Sequence, residues 1–391
     1  MRETGRFEIT TTSGESVRAF VPHRLPPADP QLDLEAGLAE RVRAAEQALV
    51  RLELAGEMVP SLDWFIYAFV RKEAVLSSQI EGTQATLMDL LNYEAEESTA
   101  AAPPNADVEE VCNYLDALNF ARDQLADPKG LPLSMRLLNE THRVLLRGVR
   151  GKNKRPGAIR RSQNWIGGSR PGNATYVPPP PHVLAEVLSD FERFIHAEDT
   201  LPPVVRAGLL HVQFESIHPY LDGNGRIGRL LVTLLLEHWG LLTRPLLYLS
   251  LFLKRHRQEY YRRLNAVRLE GDWEGWLDFF LDGIATIADE AVNTARDLFT
   301  LVTADRARVL QQDGVNLLAV QLFERLPRRP IITAPWVVET LGTSKPTANR
   351  AIDALSRAGV LVETTGKKRD RIYAYQAYLD RLRAGTELGE G

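Results

Sequence analysis

The chain has 391 residues, 44% of them hydrophobic and 25% charged, with a formal net charge of −4. That length exceeds one ordinary core, and that balance excludes a disordered chain, so a folded protein of two or three domains is expected. The strongly apolar runs at 230–236 and 246–253 are too short to cross a bilayer. No apolar signal segment follows Met1, and the lone Cys112 excludes an intramolecular disulfide framework and a multi-cysteine zinc site. A cytoplasmic protein with no membrane association is expected.

Charge is unevenly spread. Residues 306–383 hold 14 Lys/Arg against 7 Asp/Glu, whereas the rest of the chain is acidic. A basic C-terminal part on an acidic body points to separate partners for the two, although a chance surface distribution would look the same.

In chain order, Phe7, Ile9 and Val17 mark strand positions in an extended start that is broken by Pro22, Pro26, Pro27 and Pro30. Leu38, Val42, Ala45, Leu49 and Leu52 then recur at helical steps, and a second helix is expected over 61–80, stopped at Gly82. Residues 98–106 read as a loop. Helices follow at 108–126 and 134–146, then a Gly-, Arg- and Pro-rich segment at 148–181 that must be loop with at most one hairpin. More helices are expected at 183–196, 203–217, 225–238, 257–267 and 272–299. A long irregular segment inside a compact domain is more often functional than not.

The basic part differs. Three short helices at 317–325, 335–341 and 346–358 precede strand-like runs at 360–364 and 371–375, joined by a basic tip at 366–370. That order is the winged helix-turn-helix arrangement. Lys345, Arg350 and Arg357 lie on or beside its third helix.

The most informative stretch is His218-Pro219-Tyr220-Leu221-Asp222-Gly223-Asn224-Gly225-Arg226-Ile227-Gly228-Arg229. Pro219 ends one helix, Gly-Asn-Gly forces a tight turn, and an apolar helix begins at once. Main-chain N–H groups of such a turn converge at a helix N-terminus, a ready anion site. Arg226 and Arg229 share a face there, with guanidinium forks suited to phosphate. Asp222 is placed to hold Mg²⁺, and His218 titrates near neutrality and can accept a hydroxyl proton. A plain helix–loop–helix turn with surface arginines is the bland alternative. Another is zinc held by His211, His218 and Asp222 on one helical face, which Pro219 and the glycines disfavour, leaving His211 as a structural histidine.

This stretch resembles the signature of the Fic (filamentation induced by cAMP) protein adenylyltransferase family, with Tyr220 where the family usually has Phe. The resemblance implies a mainly α fold, a Fic-type helical bundle with a small β-hairpin flap. It also implies ATP as substrate, His218 as general base, and Mg²⁺ on Asp222. Gly223, Asn224 and Gly225 would hold the α- and β-phosphates, with Arg226 on the β-phosphate region and Arg229 on the γ-phosphate. The hydroxyl of a protein would attack the α-phosphorus and release pyrophosphate.

Residues 157–168 and 174–181 resemble the family's flap. Ile166, Gly167, Gly168, Tyr176 and Val177 would there dock a target protein by β-augmentation, unless they belong to an ordinary Pro-rich surface loop. Tyr260 and Tyr261 resemble the segment lining the adenine pocket, although core tyrosines on a helix would read alike. Ser77-Ser78-Gln79-Ile80-Glu81-Gly82 resembles the inhibitory motif, in which Ser77, Glu81 and Gly82 match and Glu81 would pair with Arg229 and bar the γ-phosphate. A solvated glutamate at a helix end is the alternative. The expected domains are 1–105, carrying this motif, a catalytic domain over 106–300, and the winged helix over 306–383.

The intact glycines favour AMP over another phosphate-containing group. A rival expectation is a DNA-binding transcriptional regulator whose Fic body only senses nucleotide. Assembly, for instance as a homodimer, would be able to tune the brake.

Overall fold

The computed structural model describes residues 2–35, 37–58, 62–96, 105–367 and 369–388. It is mainly helical, with one N-terminal hairpin and one small C-terminal sheet. The loop expected at 98–106 lies largely outside the described residues.

The expected extended start is a hairpin of β1 (Gly5–Thr12) and β2 (Glu15–Pro22), in register from Gly5 opposite Pro22 to Thr12 opposite Glu15. Ser13 and Gly14 join them with φ of 51° and 80°. Two consecutive positive φ values give the primed turn whose twist suits a two-residue hairpin.

Helices α1 (Gly37–Met58), α2 (Leu62–Ile80), α4 (Ala106–Ala126), α5 (Met135–Leu145) and α6 (Leu184–His196) lie where periodicity put them, with α3 (Leu87–Glu96) inserted after α2. Helix α7 (Pro203–Ile217) is buried from Val204 to Ile217, apolar on every side as a central helix must be. It begins with Pro203 in the first turn, where no N–H is missed. Next come α8 (Asn224–His238), the short α9 (Ser250–Arg255) and α10 (Arg257–Glu270). Helix α11 (Trp273–Gln311) runs 39 residues and packs along α1. It also comes close to α7 at Gly208, where an added methyl would lie 2.9 Å from Phe280 and the carbonyl accepts from Trp276 Nε1 at 2.9 Å.

Beyond α11 come α12 (Leu317–Phe323), β3 (Ile331–Thr333), α13 (Ala334–Leu341), α14 (Lys345–Arg357), β4 (Val362–Glu363), β5 (Ile372–Ala374) and α15 (Gln376–Leu382). The three strands form an antiparallel sheet ordered β3-β5-β4. The buried Tyr375 hydroxyl donates to Asp305 Oδ2 at 2.7 Å and ties this part to the far end of α11. Lys368 of the expected basic tip lies outside the described residues. Among the described residues no helix is long and apolar enough to cross a membrane.

Candidate active site

Helix α7 ends at His218, which has φ 49° and ψ 62°, and α8 starts just past Gly223, which has φ 77°. A left-handed non-glycine residue costs energy that the surroundings must hold in place, and such residues cluster at functional sites. Here the surroundings are strong. Asn224 staples the turn: its Oδ1 accepts from the Tyr220 N–H at 2.8 Å and its Nδ2 donates to the Tyr220 carbonyl at 2.9 Å. The Tyr220 ring is fully buried, stacks on His142 at 3.9 Å and donates its hydroxyl to Asn139 at 2.9 Å. Tyrosine therefore anchors the loop in the core as expected of that position. The Asn224 side chain is spent on closing the turn, so only its main chain faces outward to an anion.

Two residues that the sequence reading did not single out hold this turn from outside. His142 on α5 accepts the Gly157 N–H on Nδ1 at 2.8 Å, which leaves Nε2 to donate to the Asp222 carbonyl at 2.9 Å. Burial pushes its pKa down to about 4, so it is a neutral strut. Arg160, almost wholly buried, donates to the carbonyls of His218 at 2.9 Å and Pro179 at 2.6 Å, fastening the 157–181 segment to the 218–224 turn. Neither residue belongs to a spaced motif, so periodicity had no signal for them.

No side chain caps the first turn of α8. Its open N–H groups and helix dipole form an anion site beside two buried guanidiniums, Arg226 and Arg229. Burial, together with the charges of Arg160 and Arg268, holds His218 down to about 3. His218 therefore does not titrate near neutrality as its residue type leads one to expect; burial removes that titration, and the imidazole is neutral throughout the neutral range. Asp222 Oδ1 accepts from the Gly223 N–H at 2.7 Å and lies 3.6 Å from Arg226, while Oδ2 has no hydrogen-bond partner among the described residues.

Arg229 is held three ways by the end of α2. Its Nε donates to Ser77 Oγ at 2.9 Å, and its Nη2 donates to the Ser77 carbonyl at 2.9 Å and to Glu81 Oε1 at 2.8 Å. Burial is the largest single influence on Glu81 and opposes its ionisation, but the charge and hydrogen bond of Arg229 together with the charge of Arg226 outweigh it and keep the carboxyl below its usual range. Gly82 follows with φ 95° and releases the chain from α2. A methyl on Gly225 would lie 2.1 Å from Glu81 Oε1, so the carboxylate sits directly over the first turn of α8. An anion at that helix end and Glu81 compete for the same place.

The remaining expected residues divide. Ile166 bridges Tyr176, with Ile166 N–H to Tyr176 carbonyl at 2.8 Å, which makes one small hairpin of the 148–181 segment. Gly167 and Gly168 are exposed at its tip. Tyr176 and Val177 are buried, with the Tyr176 hydroxyl donating to the Ser216 carbonyl and the Val177 carbonyl accepting from Phe20 of β2. The Ile166 N–H and carbonyl are both taken up within this hairpin, by Tyr176 and by Thr175 and Tyr176, so of the five expected docking residues Gly167 and Gly168 are the ones left exposed. Tyr260 is core: it is buried and its hydroxyl meets His211 Nε2 at 2.9 Å. Tyr261 is 40% exposed, with the Arg257 guanidinium over its ring at 5.7 Å and the Tyr260 ring at 5.2 Å. The other His211 nitrogen faces the Gly228 carbonyl at 3.0 Å, so a zinc site shared with His218 and Asp222 is ruled out. Among the described residues no cluster of three or more His, Cys, Asp or Glu side chains is placed to cage a metal.

Residues 132–236 match the family model described as Fic/DOC family, and residues 39–123 match the one described as Fic/DOC family N-terminal. These two stretches are similar to the Fic/DOC family and its N-terminal region. The first match spans α5 to α8 with the whole turn, and the second covers α2 and its end at Glu81. Relatives called protein adenylyltransferase Fic are 38% identical over 128 residues in Drosophila yakuba and 34% identical over 154 residues in Drosophila grimshawi. Those stretches are 32% and 39% of this chain but only 23% and 29% of the relatives, so the chain matches less than a third of their length. A crystal structure of a Fic family protein from Desulfovibrio desulfuricans superposes over 92% of this chain and 98% of that one, with a TM-score of 0.57 at 20% identity. A Fic domain containing signaling protein from Bacteroides thetaiotaomicron superposes over 64% of this chain and 95% of its own, with a TM-score of 0.51 at 20% identity. These likenesses speak to the fold.

Proposed function

We propose that this protein transfers AMP from ATP to a hydroxyl side chain of a target protein or of itself, and that Glu81 restrains the reaction. The observation that carries this reading is the neutral His218 next to an uncapped helix N-terminus whose arginine is already claimed by a carboxylate. The α- and β-phosphates would lie over the main chain of Gly223–Gly225, with Arg226 on the β-phosphate region and Arg229 on the γ-phosphate. The hydroxyl proton passes to His218 as the oxygen attacks the α-phosphorus, and the bond to the bridging oxygen breaks to release pyrophosphate. Positioning and charge stabilisation supply most of the acceleration.

Asp222 fits a Mg²⁺ partner, since its Oδ2 is uncommitted and Mg²⁺ needs few protein carboxylates when phosphates supply other ligands. Bound there, the ion would offset phosphate charge. Tyr261 would stack on the adenine, and Gly167 and Gly168 at the hairpin tip would pair with the target's main chain. The domain division at 1–105, 106–300 and 306–383 goes with this reading, as does a cytoplasmic setting.

The test is transfer of label from ATP radiolabelled at the α-phosphate to protein in a cell lysate. Label should rise in Glu81→Gly over wild type and vanish in Glu81→Gly/His218→Ala. Absence of label from all three, with ATP still bound, would leave a nucleotide-sensing regulator or a different transferred group.

The exposed Lys345, Arg350 and Arg357 along α14 favour a second role for the C-terminal part, as a winged helix that contacts DNA. Binding of the full chain to duplex DNA should then weaken steeply with salt as counterions are released. A flat salt response would assign that surface to protein docking or dimerisation.

A further inference from the structure

The other signature arginine, Arg226, also meets a carboxylate, from α4. Glu110, in the second turn of α4, places Oε2 3.3 Å from Arg226 Nη1, 3.2 Å from Arg150 Nη2 and 2.9 Å from the donating Thr83 hydroxyl. Its side chain is 3% exposed and that of Arg226 is 1% exposed. Arg226 has one other close anion on its own helix side, Asp222 Oδ1 at 3.6 Å. A buried guanidinium strongly requires a partner, and burial already pushes the Arg226 pKa down despite the carboxylates around it.

We propose that Glu110 is a positioning residue for nucleotide binding: by pairing with Arg226 it holds that guanidinium at the phosphate site and keeps it from closing onto Asp222. This rests on the proposed nucleotide site. Glu81, not Glu110, crowds the Gly225 position where the anion would sit, so Glu110 would support Arg226 without taking that place. It stands on a helix, within its second turn, and is braced by Thr83, just past the end of α2, and by Arg150. Without its charge, Arg226 would turn to Asp222, and a divalent cation at Asp222 would then have to displace a guanidinium.

The experiment uses the full chain carrying Glu81→Gly as parent, with Glu110→Gln and Glu110→Asp added separately. Mn²⁺ affinity of the complex with a non-hydrolysable ATP analogue is read by electron paramagnetic resonance, alongside the thermal midpoint and the kcat and KM for AMP transfer. Glu110→Gln should weaken Mn²⁺ binding by about tenfold, the size of one lost charge-assisted hydrogen bond. Glu110→Asp, which keeps the charge on a shorter arm, should fall between. A lowered thermal midpoint with unchanged Mn²⁺ and nucleotide affinity would reduce Glu110 to a structural role and overturn the proposal. If Glu110→Gln does not fold, Glu110→Asp decides alone: weakened Mn²⁺ binding supports the proposal and parent-like binding overturns it. A parent that binds neither nucleotide nor Mn²⁺ would bring down the underlying site reading, and this proposal with it.

Discussion

The signature turn and the end of α2 meet on Arg229 but are built differently. From Pro219 to Arg229 the turn is buried or half-buried, stapled by Asn224 and braced by His142 and Arg160. Glu81 and Gly82 are exposed, and the Glu81 side chain retains 32% of its surface where the helix has just ended. One region is fixed by many partners at once, and the other reaches its arginine through a side chain that needs only a rotamer change to leave. A rigid catalytic constellation with a displaceable carboxylate on it is what a reversible brake requires, because the released state then needs no refolding of the site.

The largest effect tests the rigid side. His218→Ala in the Glu81→Gly background should lower AMP transfer by about 10² to 10⁴, the range for removing a general base, with the nucleotide still bound. Loss of nucleotide binding in that variant would instead make His218 a structural part of the turn. Next comes the adjustable side. Glu81→Gly removes a charge-assisted pair worth about 1.5 kcal/mol, at the low end because Glu81 is partly exposed, so AMP transfer should rise about tenfold. Equal rates in wild type and variant would mean that the pair does not govern seating of the phosphate.

Where the two regions touch, Gly225→Ala should harm both. The new methyl would crowd Glu81 Oε1 at 2.1 Å and Arg229 Nη1 at 2.9 Å, so it removes the brake contact and fills the phosphate seat. ATP affinity by calorimetry should fall by roughly tenfold, in wild type and Glu81→Gly alike, for loss of about one charge-assisted contact. Unaltered affinity would place the phosphates elsewhere than over the first turn of α8.

Legibility in the sequence follows the same division. The turn could be read because its proline, glycines and arginines each have a local reason to stand where they do. Helices α7 and α10 could be read from long periodic runs, and α7 was placed at its observed ends. Helix α11 was read too short, ending at 299 where the structure continues to Gln311, because its last turns present a narrower buried stripe of Val302, Asp305 and Val309. Short elements such as α9, β3 and α15 carry too few residues to show a period. The residues that brace the site, His142, Arg160 and Glu110, act across 15 to 116 positions of sequence, often through main-chain groups, the longest being the contact of Glu110 with Arg226. Such contacts leave no spacing to find. Tyr260 and Tyr261 show the converse, since adjacent positions on a helix face different ways and one entered the core.

The smallest expected effect is on pH. Glu81 titrates below its ordinary range in the folded chain, so its pairing with Arg229 is fully present above the ordinary carboxylate pKa and is lost only as pH falls through the lowered value. His218, held to about 3, stays neutral over the same span and remains able to accept a proton. Acidification from pH 8 to about 5.5 should therefore leave the ratio of Glu81→Gly to wild-type AMP transfer unchanged, whatever happens to the two absolute rates. A ratio that collapses towards one on acidification would mean that Glu81 protonates early. The carboxylate would then spend much of its time in water rather than on Arg229, and the contrast between a fixed turn and a poised but engaged brake would have to be redrawn as a turn with a loosely attached one.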